Sequence, residues 1–188
     1  MTHIMEERTM AMSTNSLACT TVLATLGVFM FSGAVSAEGP TVSIETEYLG
    51  TIEAQLDPPQ AVGARFIINV PGGTMQGLKI NGTIVQPAGD WFIPMPDGNL
   101  RLDVRATIKT NDGEYILVEY NGVIVESKDV TDRSAKGETI TAKDEYFVTT
   151  PRFTTASKNY DWLNKVQAVG KMVTLSQKGV KYDVFTVH

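Results

Sequence analysis

The ten residues Leu100–Lys109 read LRLDVRATIK, and their reading decides the fold. Leu100, Leu102, Val104, Ala106 and Ile108 fall on one parity; Arg101, Asp103, Arg105, Thr107 and Lys109 fall on the other. A period of two is the mark of a β-strand with one buried face. Upstream, Val42, Ile44, Tyr48 and Ile52 share a parity against Ser43, Glu45, Glu47, Thr51 and Glu53, which predicts another strand. Further strands are expected over 62–70, 78–85, 115–120, 123–127, 145–150, 166–175 and 181–187. Turn signals separate most of them: Pro58-Pro59, Pro71-Gly72-Gly73, Pro87-Ala88-Gly89, Asp97-Gly98, Asp112-Gly113 and Lys178-Gly179.

Two stretches break the alternation. Ser157–Asn164 (SKNYDWLN) predicts a short helical turn or Ω-loop that Ser157 is able to cap, and polar Asp129–Asp144 reads as a long mobile loop. Asn81-Gly82-Thr83-Ile84-Val85 is echoed by Asn121-Gly122-Val123-Ile124-Val125, which two matching hairpin turns explain without a duplication. About eight or nine strands with almost no helix to cover a sheet must hide their edges. Closure into a single antiparallel β-barrel does so most economically, and two packed sheets are the alternative. A barrel of about eight strands holds side chains or one small ligand. The expectation is an all-β domain with one short helical segment.

Composition bounds the chemistry. In 188 residues the hydrophobic share is 43% and the charged share 20%, proportions of a folded domain and not of a disordered chain. A net charge of −5 argues against nucleic acid as partner, because phosphates call for a basic face. The histidines are His3 and His188, and Cys19 is the one cysteine. That inventory assembles no disulfide, zinc finger, Cys–His nucleophile or Ser–His–Asp triad. No cofactor and no metal are expected, and any chemistry falls to Asp, Glu, Tyr, Lys, Arg and the backbone.

The apolar run Val22–Phe31 has the length of a signal-peptide core and is too short to span a bilayer. Val35-Ser36-Ala37 supplies small residues for cleavage, although Glu6, Glu7 and Arg8 give the leader no net positive charge. Residues 1–37 are expected to be the leader and 38–188 the domain, exported to the periplasm or secreted, with no stable membrane insertion after cleavage. A homo-oligomer is compatible with the sequence.

An ordered set of short motifs adds to this reading. Gly63-Ala64-Arg65, Gly72-Gly73-Thr74, Gly89-Asp90-Trp91 and Leu102-Asp103-Val104-Arg105 come first, running on to Thr110-Asn111-Asp112-Gly113. Tyr146-Phe147, Thr150-Pro151-Arg152-Phe153, Tyr160-Asp161-Trp162-Leu163-Asn164 and Val169-Gly170 follow. Over Thr41–Val187 the chain resembles the family called domain of unknown function 3237. The resemblance implies a closed barrel of the lipocalin or allene-oxide-cyclase kind. It also implies, through a few members, cofactor-free decarboxylation of phenolic acids. Two departures stand out: Met75 where an aromatic is expected, which would reshape a pocket wall, and the polar insertion Asp129–Asp144.

Asp103 and Arg105 share a strand face about 6.5–7 Å apart. In one reading Arg105 clamps a substrate carboxylate while Asp103 acts as acid or base. In the other, the whole parity is a solvated outer face with ordinary ion pairs. The functional reading places Asp103 and Arg105 in the lumen, with Arg65 and Glu119 completing a polar patch and Glu119 or Tyr146 taking a phenolic proton. Tyr120 is a further proton carrier. Asp90, Trp91 and Trp162 either cap a turn and plug the barrel ends or meet an aromatic ligand at the mouth. Arg152 and Phe153, beside Pro151 in a bend, complete the ligand-binding candidates, with a solvated guanidinium as the default for Arg152. The expected function is a cofactor-free lyase, decarboxylases included, or an isomerase acting on a small aromatic or phenolic acid. The alternative is an exported lipocalin-like carrier without catalysis.

Overall fold

The computed structural model describes Gly39 and residues 41–188, so the leader and Cys19 lie outside the described residues. Strand β1 is Thr46–Gln55, β2 Gln60–Val62, β3 Arg65–Asn69, β4 Gly73–Gln76, β5 Asn81–Pro94, β6 Leu100–Thr110 and β7 Tyr115–Val125. Helix α1, Lys128–Ala135, precedes β8 Ile140–Thr141, β9 Tyr146–Thr149 and β10 Arg152–Thr154. A 3₁₀ turn, Asp161–Lys165, leads into β11 Gln167–Ser176 and β12 Gly179–Val187.

The sheet closes on itself. β6 pairs with both β5 and β7, and the ladder runs on through β9, β11, β12, β1 and β4 back to β5, all antiparallel. These eight strands leave no free edge in the ring. β1 meets β12 along its whole length, and beyond it Glu45 and His188 exchange backbone hydrogen bonds of 3.1 and 2.9 Å. β2, β3, β8 and β10 extend the wall locally.

Alternation places the apolar parity inward. Leu102, Val104, Ala106 and Ile108 are buried on β6, and Val180, Tyr182, Val184 and Thr186 on β12. Towards one end the lumen is filled by side chains; Met75, Ile108, Ile116 and Met172 are almost wholly inaccessible. Met75 therefore belongs to the packed core and lines neither space in the lumen. Close strand approach is bought with glycine: a Cβ on Gly77 would overlap the Leu49 carbonyl oxygen and lie 3.0 Å from Gly50 Cα. Gly77→Ala is expected to cost about 1–3 kcal/mol in urea unfolding, because backbone must move to relieve it. An unchanged midpoint would contradict so close an approach.

Several local expectations are corrected. β1 carries a bulge between Tyr48 and Gly50 that switches its parity, so Val42, Ile44 and Tyr48 are exposed while Leu49 and Ile52 are buried. Pro87-Ala88-Gly89 is not a turn; β5 continues through it with a register shift against β6. Neither Asn-Gly pair turns a hairpin, since Asn81 opens β5 and Asn121-Gly122 lies within β7. The 62–70 stretch splits at Gly63, whose φ of 60° suits glycine in a tight hairpin turn. The expected mobile loop instead holds α1, capped by the Ser127 side chain accepting from Val130 N–H, and β8, bonded to β11. The 3₁₀ turn starts at Asp161 with no side-chain cap from Tyr160, and among the described residues the buried Ser157 Oγ has no hydrogen-bond partner.

Candidate functional site

One end of the lumen is open space. A cavity of about 140 Å³ lies there, whereas beyond Tyr120 the remaining void is only about 20 Å³. Its walls are apolar side chains from around the ring, among them Val70, Phe92, Leu102, Val104, Phe147 and Val180. Four polar residues interrupt them: Asp90, Tyr120, Glu126 and Tyr182.

Pairing register brings three of these together. Asp90 on β5 pairs with Val104 on β6, which pairs with Tyr120 on β7, so Asp90 and Tyr120 share one transverse row. Tyr182 on β12 completes the group, its ring 6.0 Å from that of Tyr120 and 5.3 Å from Phe147, both edge to face. The β5–β6 pairing skips Trp91 and Phe92, and the Asp103 N–H donates instead to Asp90 Oδ1 at 3.1 Å. A residue on the outer face thereby anchors a carboxyl on the inner one.

Burial controls the titration here. Asp90 is 9% exposed, and its pKa is pushed up to about 6 by loss of hydration, with the Asp103 hydrogen bond opposing and the Asp103 charge adding to it. Tyr120 is held well above its ordinary value by burial and then by the Asp90 charge. Tyr182 is raised as well, by burial and by Tyr120. Near neutral pH the site thus offers a carboxyl that exchanges its proton readily and two phenols that keep theirs. That combination suits general acid–base chemistry.

The expected lumenal patch is corrected. Asp103, Arg105 and Glu119 point outward, with side chains 37%, 52% and 35% exposed. Arg105 reaches Asp103 at 3.3 Å and Glu119 at 3.6 Å and lies over the Trp91 ring. Arg65 donates to the Trp91 carbonyl at 3.2 Å, and Arg152 pairs in register with Glu119. These six residues make one charged row across the outside of five strands. The physical reason is the apolar inner parity of β6, which puts its charged parity in water. Such exposed pairs contribute at most about 1 kcal/mol each. Tyr146 is exposed, with Lys171 over its ring. Phe153 is buried in the core but outside the cavity, and Trp162 packs on the core from the 3₁₀ turn with Lys79 over it. Of the candidates, only Asp90 and Tyr120 line the cavity. Tyr182, Glu126 and Phe147 were not singled out; Tyr182 could have been, since it sits on the apolar parity of Val180 and Val184.

A second buried acid lies nearby. Glu145 is 5% exposed, and among the described residues neither carboxyl oxygen has a hydrogen-bond partner. Burial pushes its pKa up to about 7, helped by the charges of Glu126 and Asp144 and opposed by Lys171. Among the described residues no three metal-ligating side chains cluster, and no helix is long and apolar enough to cross a membrane.

The model of the family described as "Protein of unknown function (DUF3237)" matches residues 44–187, nearly the whole barrel. The chain belongs to that family. A UPF0311 protein from Rhodopseudomonas palustris is 31% identical over 135 residues, 69% of this chain and 88% of the relative. The crystal structure of a conserved R. palustris protein of unknown function superposes with a TM-score of 0.74 at 31% identity, covering 79% of this chain and all of that one. A structure described as a β-barrel-like protein from Acinetobacter baumannii gives 0.67 at 31% identity, covering 80% of this chain and all of that one. An enzyme from Penicillium herquei shares the fold at 20% identity and a TM-score of 0.59, over 80% and 99% of the two chains. The DUF3237 barrel is thus the established frame, and its members among these relatives carry no assigned activity.

Proposed function

We propose that the open end of the lumen is the active site of a cofactor-free lyase or isomerase that moves a proton on a small aromatic molecule. The observation that carries this reading is Asp90, a buried carboxyl titrating near 6 beside two protonated tyrosines in an otherwise apolar cavity. Asp90 as carboxylate takes a proton from the ligand and, as acid, returns it to another ligand atom in an isomerase, or to the departing group as that group's bond to the ligand breaks in a lyase. Tyr120 and Tyr182 hold the charge that develops between those steps by donating hydrogen bonds. The steps change no net oxidation state, so no oxidant is called for. The Asp103–Arg105 pair keeps only an indirect part, through the Asp103 N–H.

The apolar walls favour one second reading, a carrier that binds the same ligands without turnover. Incubating the protein with a panel of hydroxycinnamic acids and uncharged phenols, and following absorbance and saturation together, separates the two. Conversion of a panel member is the expected result. Saturable binding with no conversion would favour the carrier.

A further inference from the structure

We propose that the lumen is built for an uncharged, single-ring phenol and excludes ring compounds bearing a carboxylate. This inference rests on the open end of the lumen being the functional site, and it holds equally for an enzyme and a carrier. It departs from the phenolic acid expected from the sequence.

Size sets the first limit. An apolar protein cavity of about 150 Å³ accommodates benzene, so 140 Å³ matches one aromatic ring with small substituents. Charge sets the second. Among the described residues no lysine, arginine or histidine lines the cavity, and its ionisable side chains include two acids, Asp90 and Glu126. Arg65 and Arg105, the arginines expected to hold a carboxylate, stand on the outer face, as does Arg152. An entering carboxylate would shed its water, gain no cation and approach Asp90, a combination of desolvation and like-charge repulsion.

Hydrogen bonding sets the third. Asp90 receives one protein hydrogen bond, from the Asp103 N–H, although a carboxylate accepts several. A ligand O–H satisfies it further, and the ring then lies among Phe92, Phe147 and Tyr182, where edge-to-face packing is already the local pattern. An aromatic ammonium would also donate to Asp90, but it would carry a full charge into walls that are almost entirely apolar.

Calorimetric titration of the full-length protein near pH 7 tests this with four matched probes: p-cresol, toluene, 4-methylbenzoate and 4-methylbenzylamine. p-Cresol is expected to bind at least about tenfold tighter than each of the other three. In Asp90→Asn protein the advantage of p-cresol over toluene should shrink by about tenfold with toluene itself unchanged, which also shows that the cavity survives the change. Tighter binding of the benzoate or the amine, or no binding of p-cresol, would overturn the proposal. Binding of 4-methylbenzoate lost in Arg105→Ala protein would place the ligand on the outer row instead. Failure of the catalytic reading looks different: p-cresol binds as expected, and no phenol is converted.

Discussion

Turnover of a lumenal substrate by Asp90→Asn protein is expected to fall by about 10²- to 10⁴-fold, the usual worth of a positioned acid or base. The substitution keeps the shape of the side chain and removes only its proton traffic. A structural effect runs in the opposite direction. The folded-state pKa of Asp90 is raised from 3.8 to about 6, so between those values the folded protein holds a proton that the unfolded chain has lost. Stability therefore falls as pH rises through this window and is flat above it. At one pKa unit per 1.36 kcal/mol the full difference is at most about 3 kcal/mol. Asp90→Asn should accordingly lose activity while its unfolding midpoint at pH 7 stays level or rises. Denaturant unfolding and single-turnover rates on the same samples check both halves. Full activity in the variant would move the chemistry away from Asp90.

The second large effect is expected at Glu145, where burial leaves both carboxyl oxygens without partners. Its folded pKa is raised from 4.5 to about 7, and Glu126, Asp144 and Lys171 are the charged groups that act on it. The sign is the same as for Asp90: stability is lost as pH climbs from about 4.5 to 7. The limit is about 3 kcal/mol, and about 2 kcal/mol allows for solvent screening. Glu145→Met replaces the acid by an apolar chain of similar length. It should gain about 2 kcal/mol at pH 8, gain little at pH 5 and flatten the unfolding profile between them. A profile as steep as that of the parent protein would show that another group carries the dependence.

The reading of Leu100–Lys109 carried the fold because parity is a long-range consequence of burial, repeated at five positions. The same parity rule leaves Asp103 and Arg105 open between the lumen and a solvated outer face, and the apolar inner parity puts them outside. Eight strands enclose so little space that the inner face must be mostly apolar, and polar lumen residues enter singly. Asp90 and Tyr120 are such exceptions, and a single residue has no period. Asp90 also sits where the β5–β6 ladder lapses, and propensity does not announce that lapse. Pro87-Ala88-Gly89 has the composition of a turn, yet pairing on both sides of the strand overrides it. Helix α1 eluded the pattern because only Val130 in it is buried, so no apolar stripe marks it. Glu145 left no signal at all, since a buried glutamate is written with the same letter as a solvated one.

The pairing of β1 with β12 joins segments more than a hundred residues apart, and it has a consequence for biosynthesis. A chain emerging from the ribosome makes β1 early, but the edges of β1 and β11 stay unpaired until β12 has been added. Until then the growing polypeptide presents two open templates for aggregation and lacks the wall that carries Tyr182. The ring cannot be completed by adding neighbouring strands one after another; it is sealed at the β1–β12 seam only once β12 has emerged.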